Sequence, residues 1–185
     1  MTTRGFAAAL YCLALALAGC GGDEDLAEAT YTAVCGDAHA RVWMPINEPL
    51  SVGTYRGEIT WSDGTIDRIE SGRDGMISDV WLAELGPDGS VCLIVTTHSA
   101  GSGSHGSVHV HRRRGDAVET LDLSMLDPER HDGYMGHDSF NIEEGRLYRS
   151  YPRYHEGDTN ASPSGGTVEL VYSFSEGEWF EAGEP

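Results

Sequence analysis

The sequence predicts an all-β fold: an antiparallel β-sandwich or flattened barrel of about eight or more strands, with little helix. Three observations carry this reading. Short segments that alternate or run apolar recur along the chain, turn dipeptides stand between them, and no long stretch holds a 3.6-residue apolar period. Many short strands at regular spacing are the pattern of an antiparallel sandwich or barrel.

In chain order, the strand segments begin with TYTAVC (30–35), ARVWM (40–44) and GTYRGEITW (53–61), after which Asp63-Gly64 and Asp74-Gly75 supply turns. ISDVWLAEL (77–85) and VCLIVTTH (91–98) follow, separated by Pro87-Asp88-Gly89. The run VCLIV is apolar at successive positions, so both of its faces need cover and it is expected to be a central strand. SVHVHRR (107–113) and AVETLDL (117–123) flank Arg114-Gly115-Asp116, and LDLSMLDPERHD has room for one helical turn after Asp127-Pro128. SFNIEE (139–144), RLYRSYP (146–152), TVELVYSF (167–174) and EWFEA (178–182) complete the set, with Glu144-Gly145 and Glu176-Gly177 as turns.

The first 19 residues have the layout of an export signal: Arg4, then an apolar run, then small residues before Cys20. That run is short of the ~20 residues a membrane-spanning helix needs. The ending Leu17-Ala18-Gly19-Cys20 resembles the bacterial lipobox, which implies cleavage before Cys20 and a lipid on its thiol. Gly-Gly-Asp-Glu-Asp follows and reads as the start of a flexible acidic tether over residues 20–30. Residues 31–185 are then expected to form a single domain, a length that supports a sizeable core. By resemblance to Gram-negative sorting, Gly21 after the lipidated cysteine implies an outer-membrane lipoprotein facing the periplasm. In an exported, oxidising compartment the two remaining cysteines, Cys35 and Cys92, are expected to form one disulfide.

The chain has 12 basic residues, all Arg, against 30 acidic ones, for a net charge of −18. Such a surface repels nucleic-acid phosphates and anionic headgroups and attracts cationic partners; it also keeps a protein soluble.

The stretch THSAGSGSHGSVHVHRRR (97–114) concentrates the reactive residue types. It is not a nucleophile elbow: Gly-x-Ser-x-Gly is absent and a strand, not a helix, follows. It is not a phosphate loop, since no Gly-Lys-Ser/Thr and no helix N-terminus follow Gly101, Gly103 and Gly106. His109 and His111 share one face of a strand, with Val108 and Val110 on the other. They read as a plain polar face turned to solvent; the alternative is a half-site for metal that His98 or His105 could complete. Arg112, Arg113 and Arg114 read as a solvated turn. Asp88-Gly89 and Asp132-Gly133 lack the ligand spacing of a calcium loop, and Glu143-Glu144 and Glu156 with Asp158 define no glycosidase cleft. No catalytic constellation or cofactor motif stands out, and the chain is expected not to be an enzyme. A Gly/Ser finger leaving a central strand has the form of a binding loop on a rigid scaffold.

Three segments, 52–59, 78–106 and 140–174, together resemble the periplasmic inhibitors of invertebrate-type (i-type) lysozyme. The similarity spans roughly residues 50–175 and is most specific at 99–105 and 151–166. It implies an antiparallel β-sandwich, often dimeric, that inserts a loop into the substrate cleft of the lysozyme. The family motif Ser-Gly-x-Tyr falls on Ser102, Gly103, Ser104 and His105, with His in place of Tyr. Imidazole is smaller than phenol and titrates near neutral pH. Tyr154, Asp158 and Asn160 lie in the second matching segment, which shapes the scaffold or touches the partner. The resemblance thus implies a cationic lysozyme as partner and no cofactor. The alternatives are a His-based metal-binding envelope lipoprotein and an envelope interaction module without inhibition.

Overall fold

The structure, a computed structural model, describes residues 27–127 and 129–183. The expected signal, Cys20 and residues 21–26 of the expected tether lie outside the described residues, as does Pro128. Among the described residues, no helix is long and apolar enough to cross a membrane.

Among the described residues, twelve strands form three antiparallel sheets of four. The first sheet pairs β1 (Ala27–Cys35), β2 (Ala38–Pro45), β3 (Val52–Thr60) and β4 (Ile66–Asp74) in chain order. The second pairs β5 (Met76–Leu85), β6 (Ser90–His98), β7 (Gly106–Arg114) and β8 (Ala117–Asp122). The third contains β9 (Ser139–Glu143), β10 (Arg146–Pro152), β11 (Thr167–Ser173) and β12 (Glu178–Glu181), in the order β12-β11-β10-β9. The all-β sandwich expected from periodicity is what the chain forms, with a further layer.

The second sheet lies between the other two, and the alternation of β6 shows why. Leu93 and Val95 enter a core shared with Val42, Met44, Tyr55 and Ile59 of the first sheet. Cys92 and Ile94 enter a second core with Leu147, Tyr151 and Leu170 of the third. Each side chain so buried contributes roughly 1.5–3 kcal/mol. The central-strand reading of VCLIV is therefore met in full.

Four expectations change. First, β1 begins at Ala27, inside the segment assigned to the tether. Its pairing with β2 continues to Ala27↔Pro45, beyond where composition stops looking strand-like. Second, β4 was not anticipated. Its positions turned toward the neighbouring sheet include Asp67, Ser71 and Arg73, and its outward ones Arg68 and Glu70, so it shows no apolar alternation. Ladder pairing with β3, from Val52↔Asp74 to Thr60↔Ile66, makes the strand regardless. Buried Arg73 donates to four carbonyl oxygens, those of Thr54 (2.9 Å), Leu50 (2.8 Å), Gly75 (2.7 Å) and Pro49 (2.9 Å), and ties the β2–β3 and β4–β5 connections together.

Third, Cys35 and Cys92 are both free thiols. Cys35 packs against the first core and Cys92 belongs to the second, so they stand on opposite faces of the middle sheet. Burial pushes the Cys92 thiol up to about 11. Fourth, the face of β7 carrying His109 and His111 is not turned to solvent, because the first sheet covers it. His111 is fully buried. The Tyr55 hydroxyl from β3 sits 2.9 Å from His109 Nδ1 and 2.7 Å from His111 Nε2, donating to one and accepting from the other. His111 Nδ1 is 2.9 Å from Thr120 Oγ1. The imidazole pair is an inter-sheet clamp whose nitrogens are engaged. Among the described residues no group of three or more His, Cys, Asp or Glu side chains is placed to hold a metal, and neither His98 nor His105 completes a site with this pair.

Candidate functional site

Three connections meet beside the β6–β7 turn: the finger itself (residues 99–105), the β8–β9 connection and the β10–β11 connection. The finger extends the ladder between its two strands. Ser99 N donates to His105 O and His105 N donates to Ser99 Oγ, both at 3.0 Å. Its tip is a turn closed by Ser104 N donating to Gly101 O at 3.0 Å. Ser104 adopts a left-handed φ of 42°, which costs a serine about 1–2 kcal/mol. Gly103 has no room for a side chain: a Cβ there would lie 2.6 Å from His105 Cε1 and 3.0 Å from Met135 O.

Of the finger residues singled out by sequence, Ser102 and His105 are exposed while Gly103 and Ser104 are half-buried. The His105 ring meets the Tyr134 ring edge-on, centroids 5.7 Å apart. Met135, beside it, is an exposed apolar side chain.

The second predicted segment reaches the finger. Asn160 Nδ2 donates to Ser102 O at 2.6 Å, and His137 Nε2 donates to Asn160 Oδ1 at 3.1 Å. Tyr154 is buried, its hydroxyl donating to Asn160 O at 3.0 Å, which sets the Asn160 position. Asp158 does not touch the finger. Its Oδ2 accepts from His155 N (2.8 Å), Ser164 N (2.8 Å) and Ser164 Oγ (3.0 Å), folding the segment on itself. Those backbone hydrogen bonds hold its carboxyl below the usual carboxylate range.

Sequence reasoning missed the residues that join these parts: Gly136, His137, Asp138 and Arg149. His137 N donates to Gly103 O at 2.8 Å. Gly106 N, at the start of β7, donates to Asp138 Oδ2 at 2.7 Å, and Tyr134 Oη donates to the same oxygen at 2.7 Å. Asp138 Oδ1 accepts from Arg149 Nε at 2.7 Å, and both side chains of this pair are fully buried. One signal was available. Alternation on β10 puts Arg149 on the same face as Leu147 and Tyr151, and a buried Arg requires a partner.

The fold and site define an all-β protein that presents a short Ser-Gly loop, held by its neighbours, at the edge of a layered core. No family model matches the chain, and no curated protein matches it. Among solved structures the chain is similar to PliI-Ah, a periplasmic lysozyme inhibitor of I-type lysozyme from Aeromonas hydrophyla. The identity is 28% and the TM-score 0.42, with 50% of this chain and 84% of that chain covered.

Proposed function

We propose that the chain is a protein inhibitor of an i-type lysozyme and that residues 102–105 are the part that enters the lysozyme cleft. The observation that carries this is a meeting in space. The two segments whose sequence resembles the inhibitor family, 99–105 and 151–166, are joined through Asn160 Nδ2 and Ser102 O. The finger offers serine hydroxyls and an imidazole to a carboxylate-lined cleft, and Gly103 keeps its backbone slim. The net charge of −18 steers the chain toward a cationic partner, with an on-rate that falls as salt rises. Inhibition of this kind needs no catalysis by the chain itself. The sequence layout around Cys20 supports export, lipidation and anchoring at the outer membrane.

The test is clearance of a cell-wall suspension by i-, c- and g-type lysozymes with and without the purified mature chain. Inhibition of i-type enzyme at micromolar concentration or below is expected, and its absence against several i-type lysozymes refutes the reading. The double substitution Ser102→Ala with His105→Ala is expected to weaken inhibition at least tenfold. Unchanged inhibition moves the site elsewhere.

A further inference from the structure

We infer that Asp138 and Arg149 are positioning residues for the finger, and that residues 136–138 form a brace that sets its shape before any partner arrives. The inference rests on the proposed inhibitory role of the same loop, but its structural half is testable without it.

One tripeptide grips the finger at its base and at its tip. At the base, Asp138 holds both stems: its carbonyl oxygen accepts from His98 Nε2 (2.8 Å), the end of β6, and its carboxylate accepts from Gly106 N (2.7 Å), the start of β7. At the tip, His137 N donates to Gly103 O (2.8 Å) and also lies 3.3 Å from Ser104 O. This approach requires glycine at 136, where φ is 93° and a Cβ would fall 2.1 Å from Gly103 O. The side chain of His137 extends the hold through Asn160 to Ser102 O.

The brace is itself anchored from below. Besides its bond to Asp138, Arg149 donates to Ser124 O (2.9 Å), to Tyr134 Oη (2.8 Å) and to Gly106 O (3.4 Å). Its guanidinium lies 5.3 Å from the Tyr134 ring centroid and 5.5 Å from that of Phe140. An apolar residue at 149 would suit the core between Leu147 and Tyr151, and buried ion pairs are often no better for stability than apolar packing. What this pair adds is geometry, because one carboxylate and one guanidinium fix β7, β10, the β8–β9 connection and the outgoing end of the finger at once. A loop ordered beforehand loses less conformational freedom on binding, so its affinity is higher for the same contacts.

The experiment uses the mature chain with Asp138→Asn, Tyr134→Phe and Arg149→Met, read by amide hydrogen exchange and by lysozyme inhibition. Tyr134→Phe removes only the hydroxyl between Asp138 and Arg149 and keeps the ring, so it decides the matter where a charge substitution prevents folding. Amides of residues 99–106 are expected to exchange at least tenfold faster in Tyr134→Phe and faster still in Asp138→Asn. Amides at the centres of β2, β3 and β6 should keep wild-type rates, and inhibition should weaken tenfold or more. Unchanged exchange in the finger overturns the brace. So does exchange raised uniformly through all three sheets, which marks a general structural role. If the wild-type chain inhibits no lysozyme, the proposed function falls, and the exchange pattern still decides the brace.

Discussion

Acidification is expected to loosen the contact between the first and second sheets through His111. The imidazole is fully buried, bonded to Tyr55 Oη and Thr120 Oγ1, and faced by His109 on its own strand. Burial, with a smaller effect of His109, pushes its value down to about 3 from the ordinary 6.5. Burial lowers His109 too, opposed by Asp122, 3.7 Å away on β8. A histidine held neutral when folded stabilises fully above the unfolded value. That stability fades as pH falls below about 6.5 and is exhausted near the folded value, because the unfolded chain takes up the proton first. Between pH 7 and pH 5 the unfolded imidazole goes from about one-quarter protonated to nearly fully protonated. The folded one stays neutral, so His111 alone removes about 2 kcal/mol. The carboxylates held low, among them Glu48 and Asp158, lose their contribution only at lower pH, below their ordinary values of 4.5 and 3.8. The assay is urea unfolding followed by tryptophan fluorescence at pH 7 and pH 5 on wild type and His111→Gln. The variant should lose about 2 kcal/mol less than wild type over that interval. Equal losses in the two chains would show that His111 is not the neutral, buried group described, and the reasoning fails.

Gly136→Ala should destabilise the chain by about 1–3 kcal/mol through its left-handed backbone and also abolish inhibition. Gly157→Ala has a similar φ of 92° but no atom within 4 Å of the added Cβ, so it should destabilise less and keep inhibition; urea midpoints and the clearance assay separate the two. Arg73→Met leaves four carbonyl oxygens without their donor and is expected to cost about 2–4 kcal/mol, read as a lower urea midpoint. In the mature chain carrying Cys20→Ser, a thiol reagent at pH 8 should label Cys35, which is half-buried, within minutes. Cys92, buried and with its thiol pushed up to about 11, should label only on unfolding. A chain with no reactive thiol after unfolding would restore the disulfide.

Periodicity exposed most of the fold because most strands bury one apolar face or two. It failed at β4, where Asp67, Ser71 and Arg73 face the neighbouring sheet and ladder pairing overrides composition. It also mistook the His109 and His111 face, since alternation reports polarity and not cover. A polar stripe meets solvent in a two-layer protein and another sheet in a layered one, and the number of layers is a tertiary fact. The finger was legible because Ser and Gly cluster between two strong strands. Its support was not, because Asp138 lies in a connection without periodicity and finds Arg149 only through packing. The link from Asn160 to Ser102 spans segments far apart in sequence, which no local pattern encodes. Export and anchoring are expectations read from the signal layout and the residues just after Cys20, which lie outside the described residues.

The hydrogen bonds that the brace and Asn160 send to the tip all end on main-chain oxygens, those of Ser102, Gly103 and Ser104. Such atoms are common to every amino acid. The side chains of Ser102 and His105 are therefore not what the brace holds; the His105 ring meets the edge of Tyr134 and stands close over Gly103 and Gly136. On the proposed reading, single substitutions at 102 and 105 would alter what the finger presents without removing any hydrogen bond that the brace or Asn160 makes to it.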